Sequence, residues 1–554
     1  MISSAGVPAD LLSGVLTSIT KVFLSVFTKL RHLLTFIGWV SAPGRTGLLA
    51  GAVGSAAPGR ARRKRRTALT RPTFSKSLMA NRFSDGKLPS GFWRPLQRAL
   101  GRLRFRYRVV FLRKGDPHQH MYRAVVRFPP DELFVQLAAA RRLLACVDPD
   151  LRDCSWARRL RCDAVRHPTH QDAVARLRDF RLRHQGRPLW VATLDIAALH
   201  DSIAHGAVRA ALAAAVARAA LRGVAIERRL LKTIEMLLAS YSFGSDVVVG
   251  AGGVLAAKDP AGQLSWPLDE LKSFHRDPLR VRMGLPQGSP LSDVLANLVL
   301  DTVDRAVCGD AADAQIFYAR YVDNIIIAHT NRAACEAALK RATDALRELR
   351  LVPHPPCAFS LSDTAFWRAK SLAPFIWAPA GEGREWLGFL GYELRYDGEV
   401  RIRRETIRRH KNRLLDIAVS RERAFDAQAH AQGARARNWF RKHAAASVTA
   451  FERELIRACV RPGRCWAHAF PLAAFGGQCL ASQARDLDRY RRLLVRRYRK
   501  HVEQHGQRLG VGLGKVRAVQ DHHRASYHFN LVVRFALSVA ALPVVSLACT
   551  EDTP

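Results

Sequence analysis

Acidic side chains are scarce in this 554-residue sequence. Asp and Glu number 47 against 88 Lys and Arg, a formal net charge of +41. A chain so unbalanced repels itself unless a polyanion is near. Nucleic acid is therefore the first partner to expect, with an anionic membrane surface second. Cysteine is sparse as well. The ten cysteines run from Cys146 to Cys549 and none stands in a C-x-x-C pair. That spacing argues against a zinc finger or a zinc-dependent nuclease module. So few cysteines in so long a chain build no disulfide framework, and a reducing cytoplasm fits. No secretory signal is convincing either. Residues 11–37 are interrupted by Lys21, Lys29, Arg31 and His32, while Ile19, Val22, Val26, Leu30, Leu33 and Ile37 recur at helical spacing. The stretch reads as an amphipathic helix rather than a secretory signal or a membrane span. Residues 535–548 are apolar but short and broken by Pro543, so they read as a packing element and no membrane partner is expected.

Core material is plentiful. Hydrophobic residues make up 48% of the chain, which excludes a wholly disordered protein, and the length predicts roughly three or four domains. Residues 38–66 are rich in Gly, Ala, Ser and Pro and end in GRARRKRR, a linker with a solvated basic run. From about 95 to 415, strand-like and helix-like segments alternate. Leu189 to Ile196 is an apolar run with β-branched members, and the Ala-rich Val208–Leu221 after it reads as a helix. Ile316–Tyr321 and Ile325–Ala328 are strand candidates around a Val-Asp-Asn turn, and Arg384–Arg403 reads as paired strands turning at Asp397-Gly398. From Arg404 to about 530 the pattern is mostly helical.

Three carboxylates stand out. Asp195 closes the apolar strand in LWVATLDIAALHDSIAH, Asp201 follows six residues later, and Asp323 sits in the turn of FYARYVDNIIIAH. An acid at the end of an apolar strand needs a partner, either an arginine or a bound cation. Mg²⁺ prefers a few carboxylate oxygens plus water and substrate phosphates. Two strand-end aspartates brought together across a sheet supply such a site, and two metals there activate a 3′-hydroxyl and stabilise leaving pyrophosphate. Taken singly, the same residues read equally well as an Asp-Asn turn or a helix cap.

The motifs do not stand singly. VRMGLPQGSPLSDVLANLVLDTVD, residues 281–304, closely resembles the GLPQGSPLSP-type motif of bacterial reverse transcriptases, which include group II intron proteins and unclassified, often defence-associated lineages. LDIAALHDSIAH resembles their first catalytic strand, RYVDN their RYADD hairpin, and FLGYELRYDGEVRIRRETIRRHKNRL, from Phe389, their FLGF motif and the start of the thumb. THQDAVARLRDF, from Thr169, resembles the motif before the first catalytic strand, and LRKGDPHQHMYRAVVRFPP, from Leu112, resembles the fingers segment with its Lys-Gly and Tyr-Arg. The motifs fall in family order over residues of about 110 to 415.

The resemblance implies a right-hand polymerase of mixed α/β (α+β) class, with an antiparallel catalytic sheet. Residues 1–66 would be the N-terminal amphipathic helix and basic linker, 67–395 fingers and palm, 396–530 a helical thumb with a basic extension, and 531–554 an apolar tail. It implies metal-dependent DNA synthesis from dNTPs on an RNA template, with two Mg²⁺ ions and Mn²⁺ as the alternative ion. Asp195 and Asp323 would bind the metals, joined by the Ile196 carbonyl. Lys114 and Arg123 would hold the triphosphate, Gln287 and Gly288 would line the nucleotide pocket, and Gly391 and Tyr392 would grip the primer. Two positions depart from the family pattern. Asn324 stands where a second catalytic Asp is usual, and His200 stands where Phe or Tyr normally blocks a sugar 2′-OH. Asn binds Mg²⁺ more weakly, and imidazole can hydrogen-bond a hydroxyl, so strict choice of deoxynucleotides is open. Residues 485–502 form a basic amphipathic helix in which Leu487, Tyr490, Leu494, Tyr498 and His501 share one face. Arg485, Arg489, Arg492, Arg496 and Arg499 lie on another, suited to a phosphate backbone.

The expected protein is a cytoplasmic reverse transcriptase of bacterial antiphage defence. Its partners would be an RNA template, a DNA product, a dedicated non-coding RNA, and a second reverse transcriptase or another copy of itself. Two other readings stay open. One is template-independent, protein-primed or fixed-repeat synthesis; the other is a catalytically silent RNA-binding scaffold.

Overall fold

The computed structural model describes residues 104–114, 120–160, 168–309, 315–357, 363–460 and 473–514. The expected helix and linker of residues 1–66 and the tail of 531–554 lie outside them. The described chain starts with a hairpin of β1 (Arg108–Arg113) and β2 (Met121–Arg127). On β2, Tyr122, Ala124 and Val126 are buried while Arg123 and Arg127 are exposed, the period of two that a half-buried strand requires. The helix α1 (Pro130–Val147) follows, with proline in its first turn, where no N–H is needed. Next comes α2 (His170–Arg183), set by a capping box between Thr169 and Asp172. The chain then runs through β3 (Leu189–Asp195), the short α3 (Leu199–Ser202), α4 (His205–Leu221) and α5 (Arg228–Ser240). A π-helical segment, Phe243–Val249, leads into α6 (Gly252–Lys258), β4 (Gln263–Leu264) and the short α7 (Leu268–Leu271). After them come α8 (Pro290–Cys308), β5 (Ile316–Tyr321), β6 (Asn324–His329), α9 (Arg332–Glu348) and β7 (Pro356–Cys357). The rest is α10 (Asp363–Arg368), β8 (Ser371–Trp377), β9 (Trp386–Phe389), β10 (Tyr392–Arg395) and β11 (Val400–Ile402), then the long helices α11 (Arg404–His430), α12 (Ala436–Val460) and α13 (Ala473–Arg508).

The central sheet has the order β5-β6-β3-β8-β7, antiparallel except for the β7–β8 edge pair. Both of its faces are covered, which is why β3 reads as a continuous apolar run rather than an alternating one. Ala192 and Leu194 of β3, with Ile325 and Ile327 of β6, belong to one core with α1, α4, α5, α8 and α9. Leu189 and Val191, with Ile326 and Ala328, belong to a second core shared with α2, β8 to β11 and the three long helices. Each fully buried Leu, Ile or Val among them contributes roughly 1.5–3 kcal/mol.

Two expectations change in detail. Arg384–Arg403 holds three strands, not two, because Leu390 (φ +50°) and Gly391 (φ +86°) make a tight turn before the one at Asp397-Gly398. The expected division at 395/396 therefore falls inside the β9–β10–β11 sheet. Within Arg228–Lys258, an 18-residue window is apolar enough by composition to cross a membrane, at a mean hydropathy of 1.2. In the same run, however, Leu230, Ile234, Leu237 and Leu238 of α5 pack into the first core.

Candidate active site

The end of β3 and the turn of the β5–β6 hairpin meet because the strands pair in register, with Asp195 opposite Asn324 and Leu194 opposite Ile325. The Ile196 N–H donates to the Asp323 carbonyl at 3.3 Å, tying the two strand ends together beyond the ladder. The Asp195 N–H donates to Ser371 Oγ at 3.0 Å, and the Asp195 carbonyl accepts the His354 N–H at 2.9 Å. Asp195 is thus fixed from three neighbouring segments. Burial pushes its carboxyl up to about 6; the Lys370 charge opposes this and the Asp323 charge adds to it. Asn324 Nδ2 donates to Asp323 Oδ1 at 2.9 Å, so the neutral amide takes one lone pair of that carboxylate.

Both aspartates open onto a cavity of about 1170 Å³. Asp195, Ile196, Asp323, Asn324, Lys114, Arg123, His200, Gln287 and Gly288 all line it, so nine positions singled out from the sequence are brought together. Lys114, Arg123 and Lys370 line the same cavity. Burial and the like charges of Arg123 and Lys370 lower the Lys114 pKa, and the charges of Asp195 and Asp201 oppose this. The cavity thus offers acids suited to a cation and bases suited to an anion.

The Gln287-Gly288 loop is held tightly. The Gln287 carbonyl accepts the Val126 N–H at 2.8 Å, and the Leu285 N–H donates to the His200 carbonyl at 2.6 Å. Gly288 has φ +132°, and a Cβ there would lie 2.2 Å from the Val126 carbonyl oxygen, so only glycine fits beneath β2. Gln287 Nε2 donates to both Asp201 oxygens at 2.8 Å. Asp201 is 6% exposed, and burial drives its carboxyl up to about 6 against that hydrogen bond. Asp201 therefore serves to orient Gln287 rather than to hold a metal. His200 Nε2 lies 3.3 Å from Asp293 Oδ1 without hydrogen-bond geometry, and Arg158 Nη2 holds the other Asp293 oxygen at 2.8 Å.

The expected primer contact needs correction. Tyr392 is fully buried, with its hydroxyl accepting from Gln171 Nε2 at 3.2 Å, so its side chain has no surface to offer a primer. Neither Gly391 nor Tyr392 lines the cavity; Leu390 does, because the tight turn swings it outward. On α13, Leu487, Leu494 and Tyr498 are buried while Arg485, Arg489, Arg492, Arg496 and Arg499 are exposed. That is the expected division of faces, although these arginines lie outside the cavity. Sequence reasoning missed Arg158, Asp293, His354 and Lys370. Of these, His354 Nε2 sits 3.4 Å from Asp195 Oδ1. His354 and Lys370 come from connections whose sequence carries no period or motif; only the fold brings them in.

Among the described residues, no group of three His, Cys, Asp or Glu is gathered that could hold a metal. Of the acids that line the cavity (Asp195, Asp201, Glu270, Asp293 and Asp323), Asp201 is engaged by Gln287 and Asp293 by Arg158, while Asp195 and Asp323 stand together at the strand ends as a sparse hard-oxygen set. That set fits a cation that keeps water and takes further ligands from substrate phosphates, as Mg²⁺ does.

Residues 137–356 match the family model described as reverse transcriptase (RNA-dependent DNA polymerase). The match agrees with the helix-flanked antiparallel sheet of a right-hand polymerase. Similar solved structures include telomerase from Candida albicans in complex with a fragment of telomeric RNA, at 9% identity and TM-score 0.34, over 82% of this chain and 64% of that one. They also include apo telomerase from Candida tropicalis truncated from its C-terminal domain, at 13% identity and TM-score 0.32, over 54% of this chain and 55% of that one. A third is Candida tropicalis telomerase with the RNA fragment, at 10% identity and TM-score 0.36, over 80% of this chain and 62% of that one. The chain thus spans between about half and two thirds of their length. No curated protein matches it.

Proposed function

We propose that this chain, which carries a reverse transcriptase domain and is thereby an RNA-directed DNA polymerase of the nucleotidyltransferase class, extends a 3′ end with dNTPs at the cavity between β3 and the β5–β6 hairpin. One observation carries the reading: Asp195 and Asp323 share one cavity with Lys114, Arg123 and Lys370. That is the charge pattern of a metal–triphosphate complex turned inside out. The reverse transcriptase family is generally dependent on a divalent metal. Here Asp195, Asp323 and the Ile196 carbonyl would hold it, as Mg²⁺ or Mn²⁺. A bound pair of ions supplies activation of the 3′-hydroxyl and stabilisation of the leaving pyrophosphate. Lys114, Arg123 and Lys370 bind the triphosphate oxygens as charge-assisted donors. Gln287, oriented by Asp201, meets the base or sugar edge, and Gly288 lets the backbone approach closely. His200 sits at the sugar, where its imidazole tolerates a hydroxyl better than a phenyl ring does.

The proposed partners are an RNA template, its DNA product and dNTPs, with the exposed arginine face of α13 on a phosphate backbone. The charge of +41 supports a nucleic-acid partner. The narrower assignment is a bacterial defence enzyme working in the cytoplasm with a dedicated non-coding RNA. Its support is the motif resemblance together with the absence of paired-cysteine zinc motifs in the sequence. Primer extension with purified protein, with and without co-purified RNA, tests the activity. Incorporation that depends on template and divalent metal is expected; none under any template or metal condition contradicts it. Phage challenge of cells carrying the wild-type or the Asp195→Ala chain tests the defence assignment. Equal protection by both rejects a defence role for the polymerase activity.

A further inference from the structure

Arg320 is the second residue before the turn that carries Asp323, and its side chain is completely buried. Its guanidinium meets four residues on three segments. Nε and Nη2 meet the Asp304 carboxylate at 2.8 and 2.6 Å, and Nη1 donates to Asn297 Oδ1 at 2.9 Å. Nη2 also donates to Ser155 Oγ at 3.0 Å, and Nη1 reaches the Val322 carbonyl at 3.3 Å. Asp304 is equally buried and accepts the Tyr318 hydroxyl at 2.8 Å. The Arg320 backbone is clamped as well: its N–H donates to Cys154 O and its carbonyl accepts the Trp156 N–H, each at 2.9 Å.

The turn residue whose carbonyl Nη1 reaches is unusual. Val322 has φ +59°, a left-handed conformation that a β-branched side chain resists and that persists only where its surroundings force it. Asp323 follows directly. Asn297 and Asp304 lie on α8, the helix that begins just after Gln287-Gly288. A single guanidinium therefore locks the nucleotide-pocket helix to the strained turn beneath the metal-binding acid. A fully buried ion pair is a poor device for stability alone, since apolar residues of similar volume often do as well or better. Its benefit has to be sought in the geometry it enforces.

We infer that Arg320 and Asp304 are positioning residues that hold the Val322–Asp323 turn in its metal-binding conformation and couple it to α8. The inference rests on the polymerase reading above. It predicts that stability and function separate when the pair is replaced by apolar side chains.

The test compares wild type, the double variant Arg320→Met/Asp304→Leu, and Arg320→Lys. Four quantities are measured: melting temperature, hydrogen exchange of residues 316–329, Mn²⁺ binding by electron paramagnetic resonance, and primer extension across a Mg²⁺ series. The double variant should melt at or above the wild-type temperature. Its turn should exchange at least tenfold faster, its Mn²⁺ affinity should fall at least tenfold, and kcat should drop while the dNTP KM changes little. Arg320→Lys keeps the charge but cannot span all four partners, so it should melt near wild type with intermediate exchange and metal affinity. If the double variant does not fold, Arg320→Lys decides alone: wild-type exchange, Mn²⁺ affinity and kcat in it overturn the inference. The same wild-type values in a folded double variant also overturn it. A wild-type protein that neither incorporates nucleotides nor loses Mn²⁺ on Asp195→Ala rejects the polymerase reading instead. Exchange at the turn still reports on positioning in that case.

Discussion

Asp201 is a carboxylate kept almost out of water, with Gln287 donating to both its oxygens, and burial drives its pKa up to about 6. The folded value lies above the unfolded value of 3.8. Folding is therefore favoured by this group below about pH 4, and the advantage is lost as pH rises towards 6. Asp201→Asn removes the penalty, so its melting temperature should exceed wild type at pH 7 and match it near pH 4, a difference of up to about 3 kcal/mol at 1.4 kcal/mol per pKa unit. A gain that is the same at both pH values contradicts the desolvation account. Gly288→Ala places a methyl against the Val126 carbonyl oxygen in a left-handed conformation. It should cost about 2 kcal/mol or more in a melt and raise the dNTP KM. Unchanged values of both mean that the loop moves freely. Asn324→Asp loses the amide donated to Asp323 and sets two carboxylates side by side. It should lose about 2 kcal/mol in EDTA, recover with Mg²⁺, and retain incorporation at saturating Mg²⁺. An inactive but folded variant rules out Asn324 as merely a weaker ligand. At this scale the sequence was informative where side-chain chemistry sat in a strand-end pattern, as for Asp195 and Asp323. It was silent on Lys370 and His354, whose approach depends on how β8 and the segment before β7 return to β3.

At the scale of elements, periodicity reported what faces the core and little else. The buried and basic faces of α13 follow directly from residues 485–502, because a helix on a core must show a stripe of period 3.6. The β5–β6 hairpin was legible for the same kind of reason. The tight turn at Leu390-Gly391 was not, since a non-glycine residue at φ +50° leaves no mark in composition. As a result Tyr392, by sequence a primer contact, is a core residue bonded to Gln171. The arginine face of α13 supports its own prediction. Replacing Arg489, Arg492, Arg496 and Arg499 together by alanine should leave the melt unchanged, since all are exposed. It should also weaken binding of single-stranded RNA and lower the salt slope by about 0.7 for each phosphate no longer neutralised. An unchanged slope would place the nucleic acid elsewhere.

At the scale of the whole molecule, charge and topology make separate contributions. The net charge of +41 concentrates polyanions around the chain but selects no chemistry. Topology selects it by folding both faces of one sheet into separate cores, which leaves the strand ends of β3 and the β5–β6 hairpin at a cavity wall. Composition announced the first, and motif order announced the second. Neither revealed that one core joins the sheet to the long helices, because packing between elements far apart in sequence leaves no local trace. The central claim is that Asp195 and Asp323 form one metal-dependent centre for nucleotide transfer. The most direct measurement is single-turnover extension of an oligo(dT) primer on poly(rA) by wild type, Asp195→Ala and Asp323→Ala, in Mg²⁺ and in EDTA, with a melt of each protein. The account predicts incorporation by wild type in Mg²⁺ only, and a loss of at least a thousandfold, about 4 kcal/mol of barrier, in either folded variant. Near-wild-type incorporation by a folded Asp195→Ala or Asp323→Ala protein would contradict it.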